Sequence, residues 1–332
     1  MFSSFAFMAS MVGKNNPYLL NKTSYIFLAP PGYGKTSFML DLVLNSQKKF
    51  IFISPLKEIN LEIYERFKEK ISIVLNPNLA LDFNAKLFIV SAEHFKENMI
   101  KDRVIILDEI HLFYHWGHSF RPHLMEILYS CFNGENTLWT LTATLNKSIG
   151  YELKSDLLNN FETVLEINLG NNQLKNIPRK IVNIKQPFKK IFSQNWQHLI
   201  NKNGKTLIFV RTRYEVDYWE EKLKKKFKKV IGCKSIAGFS WGQMIKNNEP
   251  DIIISTSVLS HGVNLKGISQ VIITYEDVSE DFWLQMVARA GRNGEKFEIV
   301  TPISILKNNF IKDIFYNLEI LIKMIYGGGK LW

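Results

Sequence analysis

The sequence predicts an α/β protein of two domains with mostly parallel sheets. Short, wholly apolar runs of four or five residues recur, the pattern of strands buried on both faces. Helix-like segments separate them, which favours an α/β arrangement over sheets of consecutive strands. The 332 residues suffice for two ordinary domains and are short for three.

In the first half the predicted strands are Tyr25–Leu28, Phe50–Ile53, Leu87–Val90, Val104–Leu107, Leu138–Leu141 and Val164–Ile167. In the second they are Thr206–Val210, Ile252–Ser255, Val271–Thr274 and Glu298–Val300. Leu169–Lys180 holds Gly, Asn and Pro with no apolar period, so it serves as the linker. The expected division is a first domain over 1–170, a linker over 171–180, a second domain over 181–304 and a helical segment over 305–332. In that last segment Ile314–Tyr326 is apolar but broken by Asn317, Glu319 and Lys323, as in a core-packed helix.

Charge separates the halves. Residues 171–332 hold 26 of the 42 Lys+Arg and 14 of the 31 Asp+Glu, a net of +12 within a total of +11. A neutral first half beside a basic second half points to a polyanion partner. Cys131 and Cys233 stand far apart and cannot build a disulfide framework or a zinc knuckle alone, so a reducing, intracellular setting is expected. Met1–Gly13 lacks a basic leader, and no run reaches the roughly 18–20 apolar residues of a membrane span. A soluble, cytoplasmic monomer is expected.

The chemistry begins after the first strand. Ala29-Pro30-Pro31-Gly32-Tyr33-Gly34-Lys35-Thr36 precedes the helical pattern Ser37–Leu44. Strand, glycine loop and helix are the context in which backbone N–H groups close around phosphates. Pro31, Gly32, Tyr33, Gly34, Lys35, Thr36 and Ser37 are therefore candidates for holding a nucleotide, with Lys35 reaching the β- and γ-phosphates and the Thr36 hydroxyl binding Mg²⁺. Downstream, Val104–Leu107 ends in Asp108-Glu109-Ile110-His111. A carboxylate pair at a strand end suits Mg²⁺ binding by Asp108 and water activation by Glu109. ATP and Mg²⁺ are the expected cofactors.

With these residues the chain resembles superfamily 2 helicases of the DExH kind, and further segments match in order. Ser54-Pro55-Leu56-Lys57 and Ser91-Ala92-Glu93 look like backbone-binding motifs. Leu141-Thr142-Ala143-Thr144 resembles the segment in which Thr142 and Thr144 would couple hydrolysis to grip. Phe209-Val210-Arg211-Thr212 is similar to motif four. Ser255-Thr256-Ser257 with Gly262-Val263-Asn264 is similar to motif five. Gln285 through Arg289-Ala290-Gly291-Arg292-Asn293-Gly294 is similar to motif six.

The resemblance implies two tandem RecA-like P-loop domains with mostly parallel sheets and an ATP cleft between them. Gln285, Arg289 and Arg292 would join Lys35, Asp108 and Glu109 in catalysis, with the two arginines as fingers for the γ-phosphate. Asn264 would help bind the nucleotide. Pro55, Lys57, Ser91, Arg211, Thr212 and Thr256 would bind nucleic acid.

A narrower resemblance is to RecQ-type DNA helicases. His115-Trp116-Gly117-His118-Ser119-Phe120-Arg121-Pro122 is similar to their aromatic-rich loop, with Ser119 where the family has Asp. Trp116 and Phe120 can stack on bases and Arg121 can pair with phosphate. His111, His115, His118 and His123 also permit a metal-site reading, which the loop resemblance accounts for less exotically. The cysteine-rich zinc module and winged helix of RecQ proteins are not expected here, since neither cysteine lies after Gly294. Ser260–Leu265 with Gln285-Met286 resembles Ski-type RNA helicases and their DNA-repair relatives, and no Gln-bearing motif that reads adenine precedes the P-loop. Lys222–Lys229 reads as a solvated helix face or an extension of the strand-binding surface.

The implied function is an ATP-driven 3′→5′ helicase or translocase on single-stranded or partly duplex nucleic acid, with DNA favoured over RNA. The alternatives are an RNA helicase or RNA–protein remodeller, and a non-hydrolysing clamp or adaptor. Between Val271–Thr274 and the motif-six helix there is no room for a hairpin wedge. A protein partner that supplies duplex separation is therefore expected.

Overall fold

The computed structural model describes residues 21–77, 84–184, 204–234, 241–260, 265–276, 278–292 and 294–302, with 82, 194 and 196–200. Asn264 and the expected helical segment 305–332 lie outside the described residues. The chain divides into two compact units, with a boundary between Lys175 and Asn176.

The first unit holds β1 (Thr23–Leu28), α1 (Lys35–Asn45), β2 (Lys49–Ser54), α2 (Lys57–Phe67), β3 (Ile73–Leu75), β4 (Leu87–Ser91) and β5 (Arg103–Asp108). It continues with α3 (Ile110–Gly117), α4 (His123–Cys131), β6 (Leu138–Thr142), α5 (Lys147–Asn160) and β7 (Thr163–Asn168). Its seven strands run in the order β3-β4-β2-β5-β6-β1-β7, and every pairing is parallel. Parallel strands need crossovers, and the helices between them supply apolar layers on both faces. One layer buries Phe38, Met39, Leu42 and Val43 of α1 against Tyr25, Phe27 and Trp139. Phe27 and Phe38 stack with ring centres 5.0 Å apart, and Tyr25 stacks on Trp139 at 4.2 Å. Burying each such side chain contributes about 1.5–3 kcal/mol, which fixes the helix that follows the glycine loop. The opposite layer packs Phe113, Tyr114, Leu124, Ile127 and Leu128 of α3 and α4 with Leu153 and Leu157 of α5.

The second unit holds β8 (Lys180–Ile184), β9 (Lys205–Phe209), α6 (Arg213–Lys224), β10 (Val230–Cys233), α7 (Trp241–Asn248) and β11 (Ile252–Ser255). After these come β12 (Ile268–Ile273), α8 (Glu280–Val287) and β13 (Glu298–Pro302). Its six strands run β10-β11-β9-β12-β13-β8, again with parallel pairings. Val216, Trp219 and Leu223 of α6 are buried in its core.

The expected linker is structured on both sides of the boundary. Asn171 Nδ2 donates to the Leu145 carbonyl at 2.8 Å, and Asn171 Oδ1 accepts from Leu145 N at 2.8 Å. Beyond the boundary, Asn176 Nδ2 donates to the Gly291 carbonyl. Amide side chains thus tie a polar segment to backbone groups that an apolar segment would leave unsatisfied.

Candidate nucleotide site and nucleic-acid face

The glycine loop turns at the carboxyl end of β1. Gly32 has φ 73° and Gly34 has φ 97°, left-handed conformations that glycine adopts without a Cβ penalty. Gly34 is the N-cap of α1, so the chain enters the helix directly from the loop. Lys35 Nζ donates to the Ala29 carbonyl at 2.8 Å and to the Pro30 carbonyl at 3.5 Å. Lys175 Nζ donates to the Gly32 carbonyl at 3.3 Å. Pro31, Tyr33 and Thr36 are half-buried, and Gly32 and Ser37 are exposed.

Asp108 ends β5 and is buried. Its carboxyl is pushed up to about 8, first by burial and then by the charge of Glu109, while Lys35 acts to lower it. Glu109 has φ 53° and ψ 49°, left-handed geometry that costs a non-glycine residue about 1–3 kcal/mol and concentrates at functional positions. Its Oε2 is buried without a hydrogen-bond partner, and His111 Nδ1 lies 3.5 Å away. Two adjacent carboxylates, one with a buried oxygen that lacks a hydrogen-bond partner, are oxygen donors of the kind that fits a hard divalent cation such as Mg²⁺.

Behind the carboxylates, buried His111 places Nδ1 2.8 Å from the Thr142 hydroxyl. That hydroxyl donates to the Thr144 carbonyl at 2.8 Å and accepts from Thr144 N at 3.1 Å. The two threonines expected to couple are therefore joined to the acidic motif.

The strand-binding candidates of the first unit gather beyond β2 and β4. Arg121 Nη1 donates to the Pro55 carbonyl at 3.1 Å, and Arg121 Nη2 donates to Glu93 Oε1 at 2.9 Å. The guanidinium carbon sits 5.4 Å from the centre of the Trp116 ring, and Trp116 sits 5.6 Å from Phe120. Phe120 is 66% exposed, whereas Trp116 packs partly on the core. Lys57 is exposed at the start of α2. Ser91 is buried, and its hydroxyl is 2.8 Å from His94 Nδ1 and 3.3 Å from Asn76 Oδ1. Gly117 lets α3 meet α4 closely, since a Cβ there would lie 2.7 Å from Met125 Cγ.

In the second unit Arg211 is exposed and Thr212 caps α6. The Thr212 hydroxyl accepts from Glu215 N at 3.2 Å, and Glu215 Oε2 accepts from Thr212 N at 3.1 Å. This reciprocal box is a structural use of Thr212. Thr256 is half-buried, and its carbonyl accepts from Ser255 Oγ at 2.7 Å. Gln285 and Arg289 are buried. Arg292 is half-buried and donates from Nε to the Ala288 carbonyl at 3.1 Å.

Among the described residues no group of three His, Cys, Asp or Glu could hold a metal ion. The histidines after the acidic motif have other partners: His118 Nε2 is 2.9 Å from Glu152 Oε1, and His123 Nδ1 is 2.6 Å from Glu126 Oε2. No helix among the described residues is long and apolar enough to cross a membrane. Sequence reasoning missed the partnership of Glu93 with Arg121, since sequence distance hides a contact made across 28 residues.

Residues 15–150 match the DEAD/DEAH box helicase family and residues 190–294 match the helicase conserved C-terminal domain. The chain carries a superfamily 2 helicase core. Curated relatives of this helicase core include an ATP-dependent DNA helicase RecQ of Bacillus subtilis, 24% identical over 63% of this chain and 36% of the relative. They also include the human probable ATP-dependent RNA helicase DDX59, 24% identical over 89% of this chain and 52% of the relative. The chain thus spans about half or less of the length of these relatives. Among solved structures, Mss116p bound to single-stranded RNA and AMP-PNP is 18% identical with a TM-score of 0.66, covering 88% of this chain and 68% of its own. Mycobacterium smegmatis helicase Lhr bound to single-stranded DNA and AMP-PNP is 14% identical with a TM-score of 0.60, covering 89% of this chain and 46% of its own. These likenesses bear out the expected fold of two tandem RecA-like domains with parallel sheets.

Proposed function

We propose that this helicase core hydrolyses ATP and uses the turnover to translocate 3′→5′ along single-stranded DNA. The observation that carries the reading is the grouping of Lys35, buried Asp108 and strained Glu109 at the strand ends beside the glycine loop. Backbone N–H groups of residues 32–36 would cradle the phosphates, and Lys35 would leave its carbonyl partners for them. Asp108 and the Thr36 hydroxyl would hold Mg²⁺, which would supply positive charge to offset the triphosphate. Glu109, whose Oε2 has no hydrogen-bond partner, would orient and deprotonate the attacking water. Arg289 and Arg292 would supply the cations that meet the transferred phosphoryl group, with Gln285 beside them. Asn264 is assigned to the nucleotide with the P-loop residues Pro31, Tyr33 and Ser37.

The exposed face of Phe120, Trp116 and Arg121, with Lys57 and the Pro55 and Ser91 turns, would take the strand, as would Arg211 and Thr256. The buried Ser91 hydroxyl and the capping Thr212 hydroxyl have partners already, so their contacts would run through the backbone. Binding led by phosphates and stacking is tolerant of sequence and weakened by salt. The aromatic loop, resembling that of RecQ-type helicases, supports DNA. An RNA reading has its own support, because the match to DDX59 covers 89% of this chain. A non-hydrolysing clamp is disfavoured by the intact Lys35, Asp108, Glu109 and Arg292. Only residues 274–279 separate β12 from α8, so strand separation of long duplexes would need a partner protein.

The test is the ATPase rate of the purified chain against single-stranded DNA, RNA and duplex, with displacement of end-labelled strands of both polarities. The reading expects strongest stimulation by single-stranded DNA and movement from its 3′ side. Stimulation by RNA alone would replace DNA with RNA. Turnover indifferent to every nucleic acid would end the motor reading.

A further inference from the structure

Glu93 lies in the short turn Ala92–His94 after β4, among the segments assigned above to the strand. Its Oε1 accepts from Arg121 Nη2 at 2.9 Å, while Arg121 Nη1 donates to the Pro55 carbonyl at 3.1 Å. The same guanidinium faces Trp116, which faces Phe120. A carboxylate therefore holds the cation that links the aromatic loop to the turn after β2.

The pair is accessible. The Arg121 side chain is 24% exposed and that of Glu93 is 47% exposed, so an anion from solvent can reach the guanidinium. Burial pushes the Glu93 carboxyl upward, but its own backbone N–H, Arg121, Lys57 and Ser91 outweigh burial and hold it below the usual carboxylate range. Glu93 is thus an anion set among donors whose chemistry suits a phosphate oxygen equally well.

We propose that Glu93 is a built-in stand-in for a strand phosphate, holding Arg121 when no strand is bound and yielding it when a phosphodiester arrives. The inference rests on the reading of this face as strand-binding. Two anions compete for one guanidinium, so the strand must displace Glu93 before Arg121 can pair with phosphate. The exchange frees Arg121 from its tether beside Trp116, and loop rearrangement becomes conditional on backbone contact. Glu93 is accordingly a positioning residue. It weakens binding, and in return makes the loop report occupancy.

The test uses the full chain, a fluorescent oligothymidylate and anisotropy titrations across salt concentrations, with ATPase stimulation alongside. Glu93→Gln keeps the side chain's shape and removes its charge. Affinity should rise about two- to fivefold, the worth of an exposed ion pair. The salt slope should steepen, by up to about 0.7, because no freed Glu93 carboxylate is left to take up a cation when the strand binds. A merely structural role would lower affinity. Arg121→Ala should weaken binding, and adding Glu93→Gln to it should give no further gain, since no guanidinium remains to release.

Unchanged or weaker binding by Glu93→Gln would overturn the exchange. So would a gain that persists in the Arg121→Ala background, because simple charge repulsion would explain it. A wild-type chain that neither binds nor responds to any strand would overturn the strand-binding reading itself and this inference with it. The wild-type arm thus separates the two failures.

Discussion

His111 Nδ1 lies 2.8 Å from the Thr142 hydroxyl, and the direction of that hydrogen bond follows from its neighbours. The hydroxyl has one proton, which it donates to the Thr144 carbonyl. It must then accept from His111, so His111 carries its proton on Nδ1. A single buried oxygen thereby satisfies His111 and the Thr144 N–H.

Thr142→Val keeps the shape and removes an acceptor shared by His111 and the Thr144 N–H, and each buried hydrogen bond lost costs about 0.5–1.5 kcal/mol. The expected result is a lower denaturation midpoint together with weakened stimulation of ATPase by nucleic acid, while nucleotide affinity is retained. Equal stimulation in the variant and the wild type would remove Thr142 from the coupling path.

Glu109 combines left-handed backbone with a carboxylate beside buried Asp108. The backbone geometry opposes folding, whereas Asp108 holds its proton in the folded chain below about pH 8 and does not repel Glu109 there. Glu109→Gln should therefore change stability little near neutrality, while turnover falls by about 10²–10⁴, the usual weight of a positioned base. Nucleotide-dependent strand binding should persist. Turnover that survives the change would place the base elsewhere.

Much of this was legible in the sequence, and the omissions have physical causes. The fully apolar runs at Tyr25, Phe50, Val104 and Ile252 predict central strands, because burial on both faces leaves no polar position. Strand β3 is only three residues long and carries too little pattern. Strand β8 mixes Lys180 and Asn183 with three isoleucine or valine positions and is mostly exposed or half-buried. Strand β10 contains Gly232 and follows a lysine run. The glycine loop and acidic motif were readable because their chemistry needs fixed residues at fixed spacing. Neither the Glu93–Arg121 pair nor the Thr212 capping box has such a signature on the side of function. The lysine run matches the solvated-face reading in part: Lys224 pairs with Glu220 at 2.7 Å, while Lys222 lies 4.8 Å from the centre of the Trp219 ring.

Asp108 also makes stability depend on pH. Its folded pKa is raised from the ordinary 3.8 to about 8, by burial first and by Glu109 second. Between those values the folded chain holds a proton that the unfolded chain releases. The resulting stabilisation is fully present below the ordinary carboxylate range and is lost as pH rises through about 8. The melting temperature of the magnesium-free chain should therefore fall between about pH 5 and pH 8.5. Asp108→Asn should flatten that fall, and Mg²⁺-ATP binding near neutrality should release a proton, measurable by calorimetry in buffers of differing ionisation heat. The same slope in both proteins would assign the pH dependence to another group.

Phe120 and Trp116 are neighbours with different work to do. Phe120 is 66% exposed and contributes little packing, whereas Trp116 leans on the core. Phe120→Ala should leave the melting temperature within about 1 °C, because exposed substitutions shift stability by less than about 0.5 kcal/mol. It should nevertheless weaken single-strand binding by about 1–3 kcal/mol if one base stacks there. Trp116→Ala should lower the melting temperature as well as strand binding, because it removes packing from the core and leaves Arg121 without its aromatic face. Thermal melts paired with anisotropy titrations separate these outcomes. A Phe120→Ala chain that binds oligonucleotide with wild-type affinity would mean that this exposed ring is not where the strand lies.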